Sequence, residues 1–481
     1  MKLANADLLK FQNYIDGEWH DAADTVDVRD PANGELLGSV ADGGAAGAEA
    51  AVAAASAAFP AWSRCTAGER ATVLKRWYQL IVDNSDDLAL ILSLEQGKPV
   101  AEAKGEILYG ASFIEWFAEE CRRAYGQTIP THNAAMRLNT IRQPVGVVSC
   151  ITPWNFPNAM ITRKAGPALA AGCTVVIKPA LETPLSALAL CQLAEEAGLP
   201  KGTINVVIGS DAAGIGKVLT QDPRVAKFTF TGSTAVGKLL MSQCASTVKK
   251  MSMELGGNAP FIVFDDADMD TAISACMATK FRNAGQVCVA TNRIYVHESV
   301  HDEFVEKLRA QVAGLKIGHA TEAGVTMGPM IYRRAVDRVQ ELVQDAVAAG
   351  AKIEIGGEQL ANGENYFAPT VLTGVMDTMR IAQEEIFGPL AAVQKFSDED
   401  EVIRRANETP YGLAAYVMSE NIRRANRVVE ALDYGMIACN TGVFSTAVAP
   451  FGGVKESGIG REGGVEGMAE FYETKYACFG V

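Results

Sequence analysis

The first chemistry the sequence offers is a thiol set where a helix runs out. The stretch Lys280-Phe281-Arg282-Asn283-Ala284-Gly285-Gln286-Val287-Cys288-Val289-Ala290 follows an apolar helical segment (Ala272, Ala275, Cys276, Ala278). It precedes a strand-like run from Arg293 to Val296, so Cys288 falls in a loop between regular elements. Gly285 permits close backbone approach beside it. Only a thiolate is a nucleophile, so a reactive Cys288 is expected in an electropositive, partly open setting. The competing reading is one more buried structural thiol among ten cysteines.

Two glycine motifs invite other chemistries. Gly458-Ile459-Gly460-Arg461-Glu462-Gly463 spells G-x-G-x-x-G, but no strong strand feeds it and too little chain remains for a βαβ unit. A turn is expected there. Gly232-Ser233-Thr234-Ala235-Val236-Gly237-Lys238 is one residue short of a triphosphate-binding loop, and Leu239 stands where Ser or Thr would reach magnesium. Even so, Phe228-Thr229-Phe230-Thr231-Gly232-Ser233 reads as a strand entering a turn and a helix N-terminus, which suits a pyrophosphate.

The elements that must position these residues follow from patterning. Tyr14-Ile15-Asp16-Gly17-Glu18-Trp19 carries an Asp-Gly hairpin signal, and Pro31-Ala32-Asn33-Gly34 a turn. Helices are expected over 45–58, stopped by Pro60, then over 67–84, 86–96 and 100–124. A loop or extended arm is expected over 126–139. From Val145, β-branched runs at 145–151, 174–177, 204–208 and 225–230 alternate with helices at 159–171, 184–197 and 212–221. Thr183 is expected to cap the second of these helices, with Pro184 at its first position. Apolar strands alternating with helices indicate a parallel sheet covered on both faces. A second alternating block runs from Met251 to Cys439, with strands at 260–264, 293–296, 352–355 and 390–396. Val336, Val339, Val343, Ala346 and Val347 form a helical stripe there, and 397–400 can cap the next helix. The tail 471–479 alternates like a strand and is expected to pair with 136–142 or with another subunit.

Composition narrows the class. The chain has 481 residues, 48% hydrophobic and 21% charged, as in a soluble globular protein. No apolar run reaches the length of a membrane span, and the N-terminus lacks the pattern of a signal or transit peptide, so a cytoplasmic protein is expected. A net charge of −14 without a basic run disfavours nucleic acid or an anionic membrane as partner. Any anionic substrate then needs a local basic site. The five histidines fall in no metal-binding spacing, so no metal site is expected.

Four stretches coincide: 152–157 (Thr-Pro-Trp-Asn-Phe-Pro), 253–258 (Met-Glu-Leu-Gly-Gly-Asn), the Cys288 stretch, and 384–389 (Glu-Glu-Ile-Phe-Gly-Pro). Together they resemble the aldehyde dehydrogenase superfamily over essentially the whole chain. The resemblance implies an α/β fold of two intertwined doubly wound domains with a small β oligomerisation arm. Residues 1–125 and 143–253 would bind the nicotinamide cofactor, 254–445 would be catalytic, and 126–142 with 462–481 would form the arm of a homodimer or homotetramer. Carried over by position, Cys288 matches the nucleophile, Glu254 the base that activates water, and Asn155 the side-chain donor of the oxyanion hole. Trp154, Lys178, Leu181, Gly209, Gly232, Ser233, Gly237, Glu385 and Phe387 match positions around the cofactor. Leu181 departs from a common pattern. Members preferring NAD often carry there a glutamate that grips the ribose 2′-hydroxyl, so NADP should be tolerated or preferred over NAD, although Glu182 lies next door.

Arg163, Arg282 and Ser445 are similar to the residues that hold the distal carboxylate in succinate-semialdehyde dehydrogenases. Guanidinium groups suit a carboxylate by bidentate geometry. The expected substrate is therefore a small aldehyde with a distal carboxylate, succinate semialdehyde first. Glutarate semialdehyde or another such aldehyde is the near alternative, and a non-redox cysteine hydrolase or acyltransferase the remote one. Ala290 stands where some members carry a second cysteine, so a redox switch there is not expected.

Overall fold

The computed structural model describes residues 2–481; Met1, at the head of the expected first domain, lies outside the described residues. Two parallel-centred sheets carry the chain. The first has eight strands in the order Gly458–Ile459, Lys250–Glu254, Val225–Thr231, Val147–Ile151, Thr174–Lys178, Ile204–Val206, Asn13–Ile15 and Glu18–His20. Its five central strands are parallel, and the last two form the expected hairpin, with Asp16 and Gly17 both at positive φ. The second has seven strands: Lys352–Ile355, Thr370–Thr373, Leu390–Phe396, Thr291–His297, Ala259–Val263, Ala414–Met418 and Met436–Cys439. All are parallel except the edge strand Lys352–Ile355. Among the described residues no helix is long and apolar enough to cross a membrane.

The C-terminal strand Tyr472–Gly480 pairs antiparallel with Met136–Pro144 along its whole length, which meets the first of the two expectations for the tail. Thr128–Ile129 completes this three-stranded ribbon. The segment Gly458–Ile459, expected as part of a turn, is instead a short antiparallel edge strand beside Glu254, and the chain bends only after it, at Gly460 and Gly463.

Several local expectations are corrected. The helix Gly44–Trp62 runs through Pro60, because a proline in the last turn forfeits only one backbone bond. Thr183 does not cap the helix Pro184–Glu196 by its side chain. The buried carboxylate of Glu95 does so from another helix, accepting from Leu185 and Ser186 N–H at 2.8 Å each. On the helix Arg333–Ala348 the buried stripe includes Leu342, while Val347 is 42% exposed. The strands Thr370–Thr373, Ala414–Met418 and Met436–Cys439 escaped the sequence pattern. Ala414-Ala415 reads as helix by propensity, and only burial between two helical layers holds it extended.

Candidate active site

Strand order decides where the site lies. In the first sheet, sequence order reverses between Val147–Ile151 and Val225–Thr231, which are neighbours. A doubly wound sheet opens a crevice at the carboxyl ends of such strands. The loops leaving them hold Trp154 and Asn155 on one side, Gly232 and Ser233 on the other. A cleft of ≈ 220 Å³ opens there, lined by these four residues together with Glu385, Phe387 and Cys288. The Trp154 ring packs perpendicular to Phe387, centroids 5.6 Å apart.

The thiol reaches the cleft because the chain crosses between sheets beside it. Glu254 ends one strand, and Ala259 begins an inner strand of the second sheet, beside the central one. The crossing is so tight that a Cβ on Gly257 would strike the Cys288 carbonyl oxygen. Gly285 has φ +73, and a Cβ there would strike the Gly388 carbonyl oxygen. These contacts lock the Cys288 loop against the Glu385–Phe387 segment.

A second cavity of ≈ 320 Å³ lies on the other side of Cys288, lined among others by Arg163, Arg282, Ser445, Tyr109, Phe156 and Phe451. Cys288 is the one residue common to the two linings. A molecule entering by the second cavity therefore meets the thiol before anything held in the first. The two arginines are not equivalent. Arg163 is buried against Phe451, 4.0 Å from the ring, and its charge is met by Glu462. Arg282 lies over Phe156 at 5.4 Å and forms no ion pair among the described residues. Arg282 thus makes no direct ion pair, and Glu102 of the same cavity bears on it only at longer range.

Asn155 donates its side-chain Nδ2 to the Gln286 carbonyl at 3.0 Å, which leaves its second N–H free. Its own carbonyl accepts from Lys98 Nζ at 2.7 Å and from Asn283 Nδ2 at 3.1 Å. Glu254 is buried, and its Oε2 has no hydrogen-bond partner. Burial raises its carboxyl well above the ordinary range, and the like charge of Glu462 adds to this. Arg163, Lys164 and Arg461 pull it back. A carboxyl held so is proton-accepting once it ionises.

The expected electropositive setting of Cys288 is only half present. Burial pushes its thiol up to about 12. Arg163 and Arg282 favour the thiolate, while Glu385 and Glu254 oppose it. In the free protein desolvation by the surrounding loops wins, although Cys288 is itself only half-buried and opens on both cavities.

The remaining cofactor positions lie outside the lining of the cleft. Lys178 is at the carboxyl end of its inner strand, in register with Ile151, and its Nζ donates only to the Pro179 carbonyl at 3.3 Å. Burial lowers its amine, and Glu182 draws it back up. Leu181 packs half-buried against the first core. Gly209 sits close to Asp42, and Gly237, in the first turn of the helix Thr234–Cys244, sits against Leu255. These residues fit a nicotinamide dinucleotide. The N-cap residue Ser233 makes no side-chain cap bond, so the helix N–H groups stay available to a phosphate. Glu385, whose carboxyl burial raises to about 7, accepts a single hydrogen bond, from Gly257 N–H, and has capacity left for a ribose hydroxyl.

Sequence reading missed the second layer. Lys98 and Glu106, each 1% exposed, form an ion pair of 2.6 Å beneath Asn155. Glu106 also accepts from Asn158 and Ala159 N–H at the start of the helix Ala159–Ala171. Glu102 accepts from Asn283 N–H at 2.9 Å. The spacing of Lys98, Glu102 and Glu106 by four was visible, but such a row normally marks a solvated helix face. Glu462 was dismissed with its glycine motif, yet it binds both Arg163 and Lys164.

The sequence model described as the aldehyde dehydrogenase family matches residues 19–477. The NADP(+) succinate-semialdehyde dehydrogenase of Escherichia coli (strain K12) is 55% identical over 483 residues, with 100% of each chain covered. The glutarate-semialdehyde dehydrogenase of Pseudomonas aeruginosa is 54% identical over 482 residues, again with 100% of each covered. The solved structure of succinate-semialdehyde dehydrogenase from Burkholderia pseudomallei superposes with a TM-score of 0.99 at 55% identity, covering 100% of both chains. A match over the whole chain, on the crevice and thiol loop described above, makes this protein a member of the aldehyde dehydrogenase family, an NAD(P)-dependent enzyme.

Proposed function

We propose that the protein oxidises succinate semialdehyde to succinate. One observation carries the reading: the cavity behind Cys288 combines an unpaired Arg282 with Ser445 and Arg163. That is a place for an anion at a fixed distance from the thiol. Cys288 attacks the aldehyde carbon as thiolate, giving a thiohemiacetal whose oxyanion meets the free Asn155 Nδ2–H and the Cys288 N–H. Such a donor typically contributes about 3–4 kcal/mol to the transition state. A nicotinamide held in the cleft by Trp154, Ser233, Glu385 and Phe387 would supply the hydride acceptor for the tetrahedral carbon. The carbon is then a thioester on Cys288. Glu254, once ionised, takes a proton from water, the resulting hydroxide adds to the thioester, and the thiolate leaves with the carboxylic acid released.

The chain is as close to a glutarate-semialdehyde dehydrogenase as to a succinate-semialdehyde one. One methylene is worth only about 1–3 kcal/mol of discrimination, so the longer homologue is the second substrate of this reading. NADP is accepted on the same reading, since Leu181 places no carboxylate against a 2′-phosphate near Lys178. The domain division at 1–125 with 143–253, 254–445, and the arm 126–142 with 462–481, belongs to it too. Exposed Tyr476 and Phe479 on the ribbon support pairing of copies there, as a homodimer or homotetramer.

The test is Arg282→Leu, compared on succinate semialdehyde and on neutral butyraldehyde. Truncating one member of a buried charge pair typically costs about 2–5 kcal/mol, so kcat/KM should fall by that factor for the charged aldehyde only. Equal losses for both would sink the carboxylate reading.

A further inference from the structure

The cavity behind Cys288 contains a polar group to which neither the proposed reaction nor the fold gives work. Tyr109 lies on the helix Val100–Glu120 and lines that cavity with Arg163, Arg282 and Ser445. Its hydroxyl oxygen is buried and has no hydrogen-bond partner. Arg163, Glu462 and Arg282 bear on it electrostatically, and the Ser445 side chain lies near it, short of a well-formed hydrogen bond. Burial raises its pKa, so at neutral pH it is a phenol and a donor.

Packing does not call for the hydroxyl. The ring meets Phe113 edge-to-face, centroids 5.0 Å apart and planes at 80°, a contact that phenylalanine would make equally well. A buried hydroxyl without a partner is unfavourable, and it is tolerated where a ligand completes it. Two further donors in the same cavity are also without partners, Nε of Arg163 and Nε of Arg282. With Ser445 Oγ they make four donors on residues that line one cavity. A carboxylate offers about four lone-pair sites and no proton.

Resting on the reading that an aldehyde's distal carboxylate occupies this cavity, we infer that Tyr109 is a further substrate-binding and specificity-determining residue. Its hydroxyl donates to a carboxylate oxygen alongside Arg282, Arg163 and Ser445. Arg282 supplies charge, which any anion would satisfy. The tyrosine supplies a fourth directed donor on a rigid ring, which favours an end group whose oxygens all accept. Tyr109 is three residues beyond Glu106, whose pairing with Lys98 supports the Asn155 loop, so one helix serves both ends of the substrate.

Tyr109→Phe removes one oxygen and keeps the ring, so it tests the donor with little change in packing. KM for succinate semialdehyde should rise about 10- to 100-fold, the range for losing one hydrogen bond to a charged group. The kcat should change much less, because the contact is made equally in ground and transition states. The inhibition constant of succinate, which carries the same end group, should rise in parallel. The preference for succinate semialdehyde over butyraldehyde in kcat/KM should shrink by the same factor. An unchanged KM, or an equal loss on both aldehydes, overturns the role of Tyr109. Arg282→Leu measured alongside separates the two ideas. If it abolishes the preference and Tyr109→Phe does not, only the tyrosine's role fails. If neither variant alters the preference, the carboxylate reading fails with it.

Discussion

Replacing Lys98 by methionine should destabilise the protein and slow its chemistry together. The amine is 1% exposed, held at 2.6 Å from Glu106 and at 2.7 Å from the Asn155 carbonyl. Methionine fills much of the same volume but leaves the Glu106 carboxyl without its partner in a dry interior. Removing one partner of a buried pair typically costs about 3–5 kcal/mol, against roughly 0–1 kcal/mol for an exposed pair. In Lys98→Met/Glu106→Gln the glutamine oxygen can still accept from Asn158 and Ala159 N–H, so the helix start stays satisfied. The double variant should therefore lose clearly less than the sum of the single losses, with a coupling of about 2 kcal/mol or more. Urea unfolding, followed by tryptophan fluorescence and by residual activity, measures the loss in the two single variants and the double. A chain of this size can unfold in stages, so agreement of the two signals is part of the assay. Activity should fall alike on charged and neutral aldehydes, because Asn155 is displaced and the distal cavity is not. Additive losses, or a Lys98→Met midpoint equal to that of the parent, would refute the reasoning.

Two other outcomes follow from the electrostatics. With the Cys288 thiol pushed up to about 12, thiolate is scarce at neutral pH in the free enzyme. Inactivation by iodoacetamide should then climb roughly tenfold per pH unit between about pH 7 and pH 10, and a plateau below about pH 9 would show that cations win over burial there. Leu181→Glu should lower the ratio of kcat/KM for NADP over NAD by about tenfold through repulsion of the 2′-phosphate, and an unmoved ratio would assign the preference to another residue.

Much of this protein was legible in its sequence because the information was local. The strand–helix alternation from Val145 to Phe230 and the Asp16-Gly17 hairpin follow from short-range patterning and turn chemistry. So do the strands Lys352–Ile355 and Leu390–Phe396, which start and end where the pattern placed them. The motifs around Asn155, Glu254, Cys288 and Glu385 were visible as motifs, and the fold brings all but Glu254 to the lining of one cleft. What only tertiary structure decided are the partners. Glu95 caps a helix some ninety residues away, Glu462 compensates Arg163 from nearly three hundred residues away, and Lys98 supports the Asn155 loop from the turn before the helix Val100–Glu120. Charged residues at helical spacing look the same whether they face water or a cavity. Burial, which sets whether Lys98 and Glu106 are a weak surface pair or a support of the site, and which pushes the Cys288 thiol upward, is a property of packed layers that no local stretch of chain encodes.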